Sequence, residues 1–212
     1  RSESAAFAGG AYVFPGGALD PSDQGEHWAA HCVGMDDAAA SRLLELEQGG
    51  LAYWIGAIRE CFEEAGLLLA CDRSAEMLAL DKPDTAREFA GLREQLIAGS
   101  LTFAELCIAR DLRLALDHLA YFSHWIGGQG RPRRYDTRFF VAVAPPLQTP
   151  SHDSGETVGH IWIRPAEALE RHRRGELNLL FPTIKTLEAL ARFADTAAVM
   201  AHARTPRAMT PV

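Results

Sequence analysis

No apolar run in the 212 residues approaches the length of a membrane span, and the start carries no signal-peptide pattern. A membrane partner is therefore not expected. Cys32, Cys61, Cys71 and Cys107 show no C-x-x-C spacing, which argues against a zinc site and against a disulfide framework. They fit the reduced thiols of a cytoplasmic protein. The eight histidines show no H-E-x-x-H or other ligand spacing. Ser123-His124 and His152-Asp153-Ser154 hold the residue types of a hydrolytic triad, but neither sits in a G-x-S-x-G elbow. Both are read as plain strand or loop residues. Positive charge is also scarce: the net charge is -7 and the pI is near 5.6, which argues against nucleic acid or an anionic membrane as partner. Internal repeats and low-complexity tracts are absent, and Thr210-Pro211-Val212 is not a peroxisomal tripeptide of the S-K-L type.

What is present is ordinary in bulk and unusual in one place. Apolar content of 48% and charged content of 23% suit one large domain spanning residues 1–212. That domain is organised around residues 51–69, LAYWIGAIRECFEEAGLLL. Read as a helix, this stretch stacks Glu60, Glu63 and Glu64 on one face, at i, i+3 and i+4. Ile55, Ile58 and Phe62 follow the helical period on the other face and can be buried. Gly66 suits the left-handed residue that ends a helix, and residues 67–69 look like the start of a buried strand. Three carboxylates within one turn repel each other. A hard divalent cation relieves that conflict, because Mg2+ takes oxygen ligands and commonly bridges carboxylates to phosphates.

Residues 11–14 read as a short strand stopped by Pro15-Gly16-Gly17. Residues 36–47 form an expected helix, and residues 75–110 are expected to be mostly helical, with helices over 85–97 and 102–108. Residues 112–125 look like strand, with Leu112, Leu114 and Leu116 in alternation. Residues 137–144, TRFFVAVA, read as a central buried strand. A long polar loop follows over 145–156, then a strand over 158–163 and a helix over 165–174 with Gly175 after it. Its basic end, Arg171 to Arg174, complements the helix dipole. Residues 183–202 are expected to form one amphipathic helix, and residues 203–212 a frayed tail.

The run Arg59-Glu60-Cys61-Phe62-Glu63-Glu64-Ala65-Gly66-Leu67 resembles the signature helix of the Nudix hydrolases. That signature reads G-x5-E-x7-R-E-U-x-E-E-x-G-U, with U apolar. Phe14-Pro15-Gly16-Gly17 is similar to its start, where glycines let the backbone approach metal and phosphate closely. Counting on from Gly17, the first Glu of the signature falls on Asp23, and residues 24–58 stand where the family has seven. Residues 24–50 are therefore read as an insertion that folds outward as its own hairpin, and residues 75–110 as a second, helical insertion. The stretches AYVFPGGALDPSD, AIRECFEEAGLLL, FSHWIGGQGRPRRYDTRFFVA and GETVGHIWIRPAEALERHRRGELNLLFPT resemble the peroxisomal-type branch, the coenzyme A and acyl-CoA diphosphatases. The strand that precedes the signature in that branch ends in an Arg-Ser pair and survives here only as Arg1-Ser2. An N-terminal strand is therefore expected to be missing.

The resemblance implies an α/β Nudix fold, a mixed sheet between helices with helical insertions. It implies a hydrolase of phosphorus-containing anhydrides, a diphosphatase using Mg2+, with Mn2+ as an alternative ion. Coenzyme A or acyl-CoA is the expected substrate. ADP-ribose or NADH hydrolysis is the enzymatic alternative, and a non-catalytic nucleotide-sensing module is the alternative of another class. Glu60, Glu63 and Glu64 would be the metal ligands, with the Gly16 carbonyl. Arg59 would hold the helix carboxylates in register, and Glu156 would supply a second acid from the long loop. Asp23 could stand in for the signature's first Glu. Arg131, Arg133 and Arg134, together with Arg138, could meet substrate phosphates, since arginine pairs with them bidentately. The expected partner is a small CoA-like molecule, with no nucleic acid and no membrane; a homodimer is left open.

Overall fold

The structure, a computed structural model, describes residues 10–127, 135–152, 159–205 and 209. They fall into two compact units: Pro15–Leu119 with Ala144–Asp153, and Arg1–Phe14 with Ala120–Val143 and Ser154–Val212.

The first unit is built on two helices, α1 (Asp37–Leu44) and α2 (Leu51–Ala65). Trp54, Ile55, Ile58 and Phe62 give α2 an apolar stripe at helical spacing, and each is almost fully buried. Trp54 also donates its indole N–H to the Leu119 carbonyl at 3.2 Å. Gly50 precedes α2 and has no side chain to cap it. The cap comes from α1 instead, because the Asp37 carboxylate accepts from the amides of Leu51 and Gly49, both at 3.0 Å. At the other end Gly66 adopts the expected left-handed conformation, φ +69°, and its amide bonds the Phe62 carbonyl.

A three-stranded sheet lies in the same unit, in the order β1 (Cys32–Val33), β3 (Arg113–Ala115), β2 (Ala70–Cys71). β1 runs parallel to β3, with Cys32 opposite Leu114, and β2 runs antiparallel to it, with Ala70 opposite Leu114. Residues 67–69, expected to begin this strand, are buried but irregular, and the ladder begins at Ala70. Residues 24–50 do not fold outward as a hairpin. They supply β1, place α1 against α2, and bury Trp28 against Phe103, with ring centroids 5.7 Å apart. Trp28 is too large an apolar surface to leave in water. The second insertion carries α3 (Pro83–Ile97) and α4 (Phe103–Arg110), as its periodicity predicts. Thr102 and Glu105 form a capping box at the start of α4.

The expected strand over 112–125 is interrupted. A 3-10 turn at Leu116–His118 separates β3 from β4 (Leu119–Gly127), and the two halves pair with different strands. In the second unit β4 pairs with β5 (Tyr135–Ala142). Residues 139–142 are half-buried rather than central to a buried sheet, because β5 belongs to a two-stranded sheet among the described residues. The expected strand over 11–14 is reduced to one bridge, in which Tyr12 faces Leu179. The expected strand over 158–163 is irregular in its described part, and Trp162 is 68% exposed. Alternating Ile and Trp favour a strand only where a neighbouring ladder receives them.

Helix α5 (Pro165–Arg173) matches its expected span. The single helix expected over 183–202 is two, α6 (Phe181–Leu190) and α7 (Thr196–Arg204). Asp195 causes the break: its carboxylate accepts from the Ala198 amide and restarts the helix as an N-cap. Ala168, Leu177, Leu179 and Leu187 form one core cluster with Phe14 and Ile163, and Phe122, Met200 and Ala203 form another with Val141. Among the described residues no helix is long and apolar enough to cross a membrane.

Asp37 yields a first prediction. Its two backbone hydrogen bonds, to Leu51 first and Gly49 second, hold its carboxyl below the usual range. A lowered folded pKa stabilises the fold above the ordinary carboxylate range, and that contribution is lost as pH falls through the folded value. Asp37→Ala is expected to lower unfolding stability by about 1 kcal/mol at neutral pH in urea titrations, as a lost helix cap does. The difference from the unchanged protein is expected to vanish below the carboxylate range.

Candidate active site

Arg59 sits in the middle of α2 and is 6% exposed, and every N–H of its guanidinium is engaged. Nε donates to Asp23 Oδ1 at 2.8 Å and Nη2 to Asp23 Oδ2 at 2.9 Å, a bidentate pair. Nη2 also donates to the Ala18 carbonyl at 2.9 Å. Nη1 reaches Glu60 Oε1 at 2.9 Å and the two Glu63 oxygens at 3.2 and 3.3 Å. Burial works against the Arg59 charge, but the hydrogen bonds to Asp23 and the charges of Asp23, Glu60 and Glu63 outweigh it and raise its pKa.

Asp23, one position in a short 3-10 turn (Pro21–Asp23), is wholly buried. Besides Arg59 it accepts from the Asp20 amide at 2.8 Å. It is therefore the anchor of Arg59, tying the loop to the middle of α2. Gly16 brings its amide 3.4 Å from Glu64 Oε2. A Cβ at the neighbouring Gly17 would lie 2.5 Å from Glu60 Oε1, so a side chain there would displace that carboxylate. The loop over residues 16–23 thus lies directly on the acidic face of α2, held by Arg59 at Ala18 and Asp23.

Three carboxylates, Asp23, Glu60 and Glu63, surround the one Arg59 cation, which leaves two negative charges uncompensated. Burial pushes both Glu60 and Glu63 above the usual carboxylate range, even though Arg59 pulls in the other direction. Among the described residues, no three carboxylate, histidine or cysteine side chains converge closely enough to enclose an ion. The chemistry of the donor set nonetheless fits a hard divalent cation. It offers only oxygen, it carries excess negative charge in a desolvated place, and Arg59 engages just one oxygen of Glu60.

The family model described as the NUDT19 Nudix domain matches residues 38–190, well over half of the chain. The chain belongs to the Nudix hydrolase family. It is similar to human acyl-coenzyme A diphosphatase NUDT19, 32% identical over 226 residues, and to the Xenopus laevis protein of the same name, 27% identical over 227. Each alignment covers 92% of this chain but only 60% and 59% of the relative, so the chain spans about three-fifths of their length. Among solved structures it resembles a Nudix hydrolase from Alicyclobacillus acidocaldarius, with a TM-score of 0.70 and 28% identity, covering 95% of this chain and 85% of that one. The fold is the α/β Nudix fold.

The Nudix residues read from the sequence are thus partly assembled. The structure brings Arg59, Glu60, Glu63, Glu64 and Gly16 together with Asp23. Glu156, Arg131, Arg133 and Arg134 lie outside the described residues. Arg138 lies in the second unit, where its Nη1 pairs with Asp136 at 2.9 Å; His124 Nε2 lies 2.6 Å from the same carboxylate oxygen. Ser123 Oγ accepts from Trp125 Nε1 at 3.2 Å and makes no triad with His124. Sequence reasoning missed Arg93, Gln148 and Ser151, which fix the far end of the Nudix helix. The one available signal was Arg93 itself, a charge at a core-facing position of α3 between Phe89 and Leu96.

Removing Arg59 leaves Asp23 a buried, unpaired carboxylate. Arg59→Met is expected to lower stability by roughly 3–5 kcal/mol in denaturant unfolding. Arg59→Lys, which keeps the charge but not the five-donor fork, should recover only part of that loss.

Proposed function

We propose that the chain is a Mg2+-dependent hydrolase that cleaves the diphosphate linkage of coenzyme A or acyl-CoA. The observation that carries the reading is the acidic face of α2, where the half-buried Glu60 and Glu63 and the buried Asp23 facing them outnumber the one arginine that orders them. The names of the human and frog relatives support the substrate class.

In this reading Glu60, Glu63 and Glu64 hold the ion, with the Gly16 carbonyl beside them. A divalent ion bound there supplies charge neutralisation on the phosphate oxygens and lowers the pKa of a bound water. The protein's own residues do the rest. Arg59 keeps the Glu60 and Glu63 carboxylates in register. The buried Asp23 keeps Arg59 itself from turning away. The close approach at Gly17 presses the loop onto Glu60, so the acidic face is shaped before substrate arrives. Glu156 is proposed as the acid that accepts a proton from the attacking water. Arg131, Arg133 and Arg134 are proposed to neutralise substrate phosphates. Water attacks one phosphorus, a new P–O bond forms, and the bridging P–O bond breaks with the second phosphate as leaving group.

The test is mass-spectrometric product analysis with Mg2+ and a panel of coenzyme A, acyl-CoA, ADP-ribose and NADH. Release of 3',5'-ADP with 4'-phosphopantetheine or its acyl form is the expected result. AMP from ADP-ribose or NADH alone would transfer the same chemistry to another substrate. Binding without any product would point to a sensor. Glu63→Gln and Glu64→Gln are expected to fold and to lose activity by at least about 100-fold, the scale on which removal of an electrostatic catalytic group acts. An undiminished double variant would overturn the assignment.

A second expectation concerns pH. Glu60 and Glu63 have raised folded pKa values, so they favour folding at low pH and lose that contribution as pH rises through the raised values. The ion replaces the missing positive charge only where these groups are ionised. Added Mg2+ is therefore expected to raise Tm more at pH 8 than at pH 5 in thermal-shift measurements, and an equal shift at both would contradict the assignment.

A further inference from the structure

Glu63 is held from two sides. Arg59 meets its carboxylate, and its main-chain carbonyl accepts from a second arginine, Arg93, through Nε at 2.9 Å and Nη2 at 2.8 Å. Arg93 comes from α3. The same guanidinium donates from Nη1 to Ser151 Oγ at 2.8 Å and from Nη2 to the Ser151 carbonyl at 3.0 Å. It is 8% exposed, on the face of α3 that also buries Phe89 and Leu96. Helical periodicity would place an apolar side chain there. A buried charge is costly unless it is hydrogen-bonded, and these four bonds all go to two residues, Glu63 and Ser151.

The target is the last turn of α2, whose carbonyls have no partner inside the helix. The Phe62 carbonyl receives the Gly66 amide, the Ala65 carbonyl receives the Ser151 amide at 2.9 Å, and the Glu63 carbonyl receives Arg93 twice. A cation at this end also complements the helix dipole. The packing leaves little slack, since a Cβ on Gly66 would lie 2.8 Å from Ser151 Oγ and 3.3 Å from Arg93 Nη1. Gln148 fastens the same piece of chain. Its side chain exchanges bonds with the Leu68 amide and carbonyl at 2.8 and 2.9 Å, and donates to the Leu78 carbonyl at 2.9 Å.

We propose that Arg93 is a positioning residue for the hydrolytic site: by clamping the Glu63 carbonyl to α3 and Ser151, it sets the bearing of the Glu63 and Glu64 carboxylates toward a divalent ion. This rests on the proposed function, and it assigns the helical insertion a part in the chemistry. Without the clamp the last turn of α2 frays, and the carboxylates it carries lose their fixed geometry before the middle of the helix loses its packing.

The test compares Arg93→Met and Arg93→Lys with Asp37→Ala, which weakens the opposite end of the same helix. Mn2+ affinity would be measured by electron paramagnetic resonance, and kcat and KM for acyl-CoA determined well below each variant's Tm. Arg93→Met is expected to weaken Mn2+ binding and to lower kcat, each on the order of 10-fold, as loss of a group that orients a metal ligand does. KM should stay unchanged, Arg93→Lys should recover part of both losses, and Asp37→Ala should change neither. Wild-type Mn2+ affinity and kcat in Arg93→Met would overturn the proposal, whatever its Tm. Should that variant not fold, Arg93→Gln is read by the same criterion. Mn2+ binding without hydrolysis in the unchanged protein would sink the proposed function alone and leave Arg93 to be judged on affinity. No Mn2+ binding by the unchanged protein would overturn both.

Discussion

The Arg59 guanidinium, buried between Asp23 and the acidic face of α2, is the contact on which the candidate site depends. Its five N–H groups are shared among two helix carboxylates, one loop carboxylate and one loop carbonyl. A planar fork with fixed directions can do this, and a flexible ammonium cannot. The consequence is that a loop and a helix far apart in sequence are locked at one spacing, with Gly17 allowing the loop to touch Glu60. The same contact explains why Glu60 and Glu63 can stand together while partly desolvated. Arg59 offsets part of their repulsion and leaves the remainder for a further cation to relieve.

Both ends of the Nudix helix are finished by residues from outside it. Asp37 in α1 satisfies the amides at the start, and Arg93 in α3 with Ser151 satisfies the carbonyls at the end. Asp37 and Arg93 come from the two long segments, 24–50 and 75–110, that lengthen the chain relative to the bare signature. Segment 24–50 also contributes a strand to the three-stranded sheet, and 75–110 contributes the Phe103 that packs against Trp28. The inserted segments therefore complete the scaffold of the helix rather than hang from it.

The second unit shows how short-range pattern and long-range partner divide the work. Asp195 splits one long amphipathic pattern into α6 and α7, because a side-chain cap offers the backbone a competing hydrogen bond. Among the described residues the β-favouring run 159–163 forms no ladder, while the equally apolar β4 and β5 find each other. Strand propensity is expressed only through a partner, and the partner is not written in the strand itself.

By itself the sequence determined α2, its length, its stop at Gly66 and the shared face of Glu60, Glu63 and Glu64, because these follow from a period of 3.6 and from local capping chemistry. It also marked Gly16-Gly17 as the loop meant to lie near that face. Tertiary structure alone decided that Asp23 is the partner of Arg59, and that residues 24–50 join the sheet. It alone decided that Asp37, Arg93, Gln148 and Ser151 hold the helix at its two ends and the chain that follows it. Those assignments rest on hydrogen bonds between residues up to 80 positions apart, and no local period or cap records which distant donor will arrive.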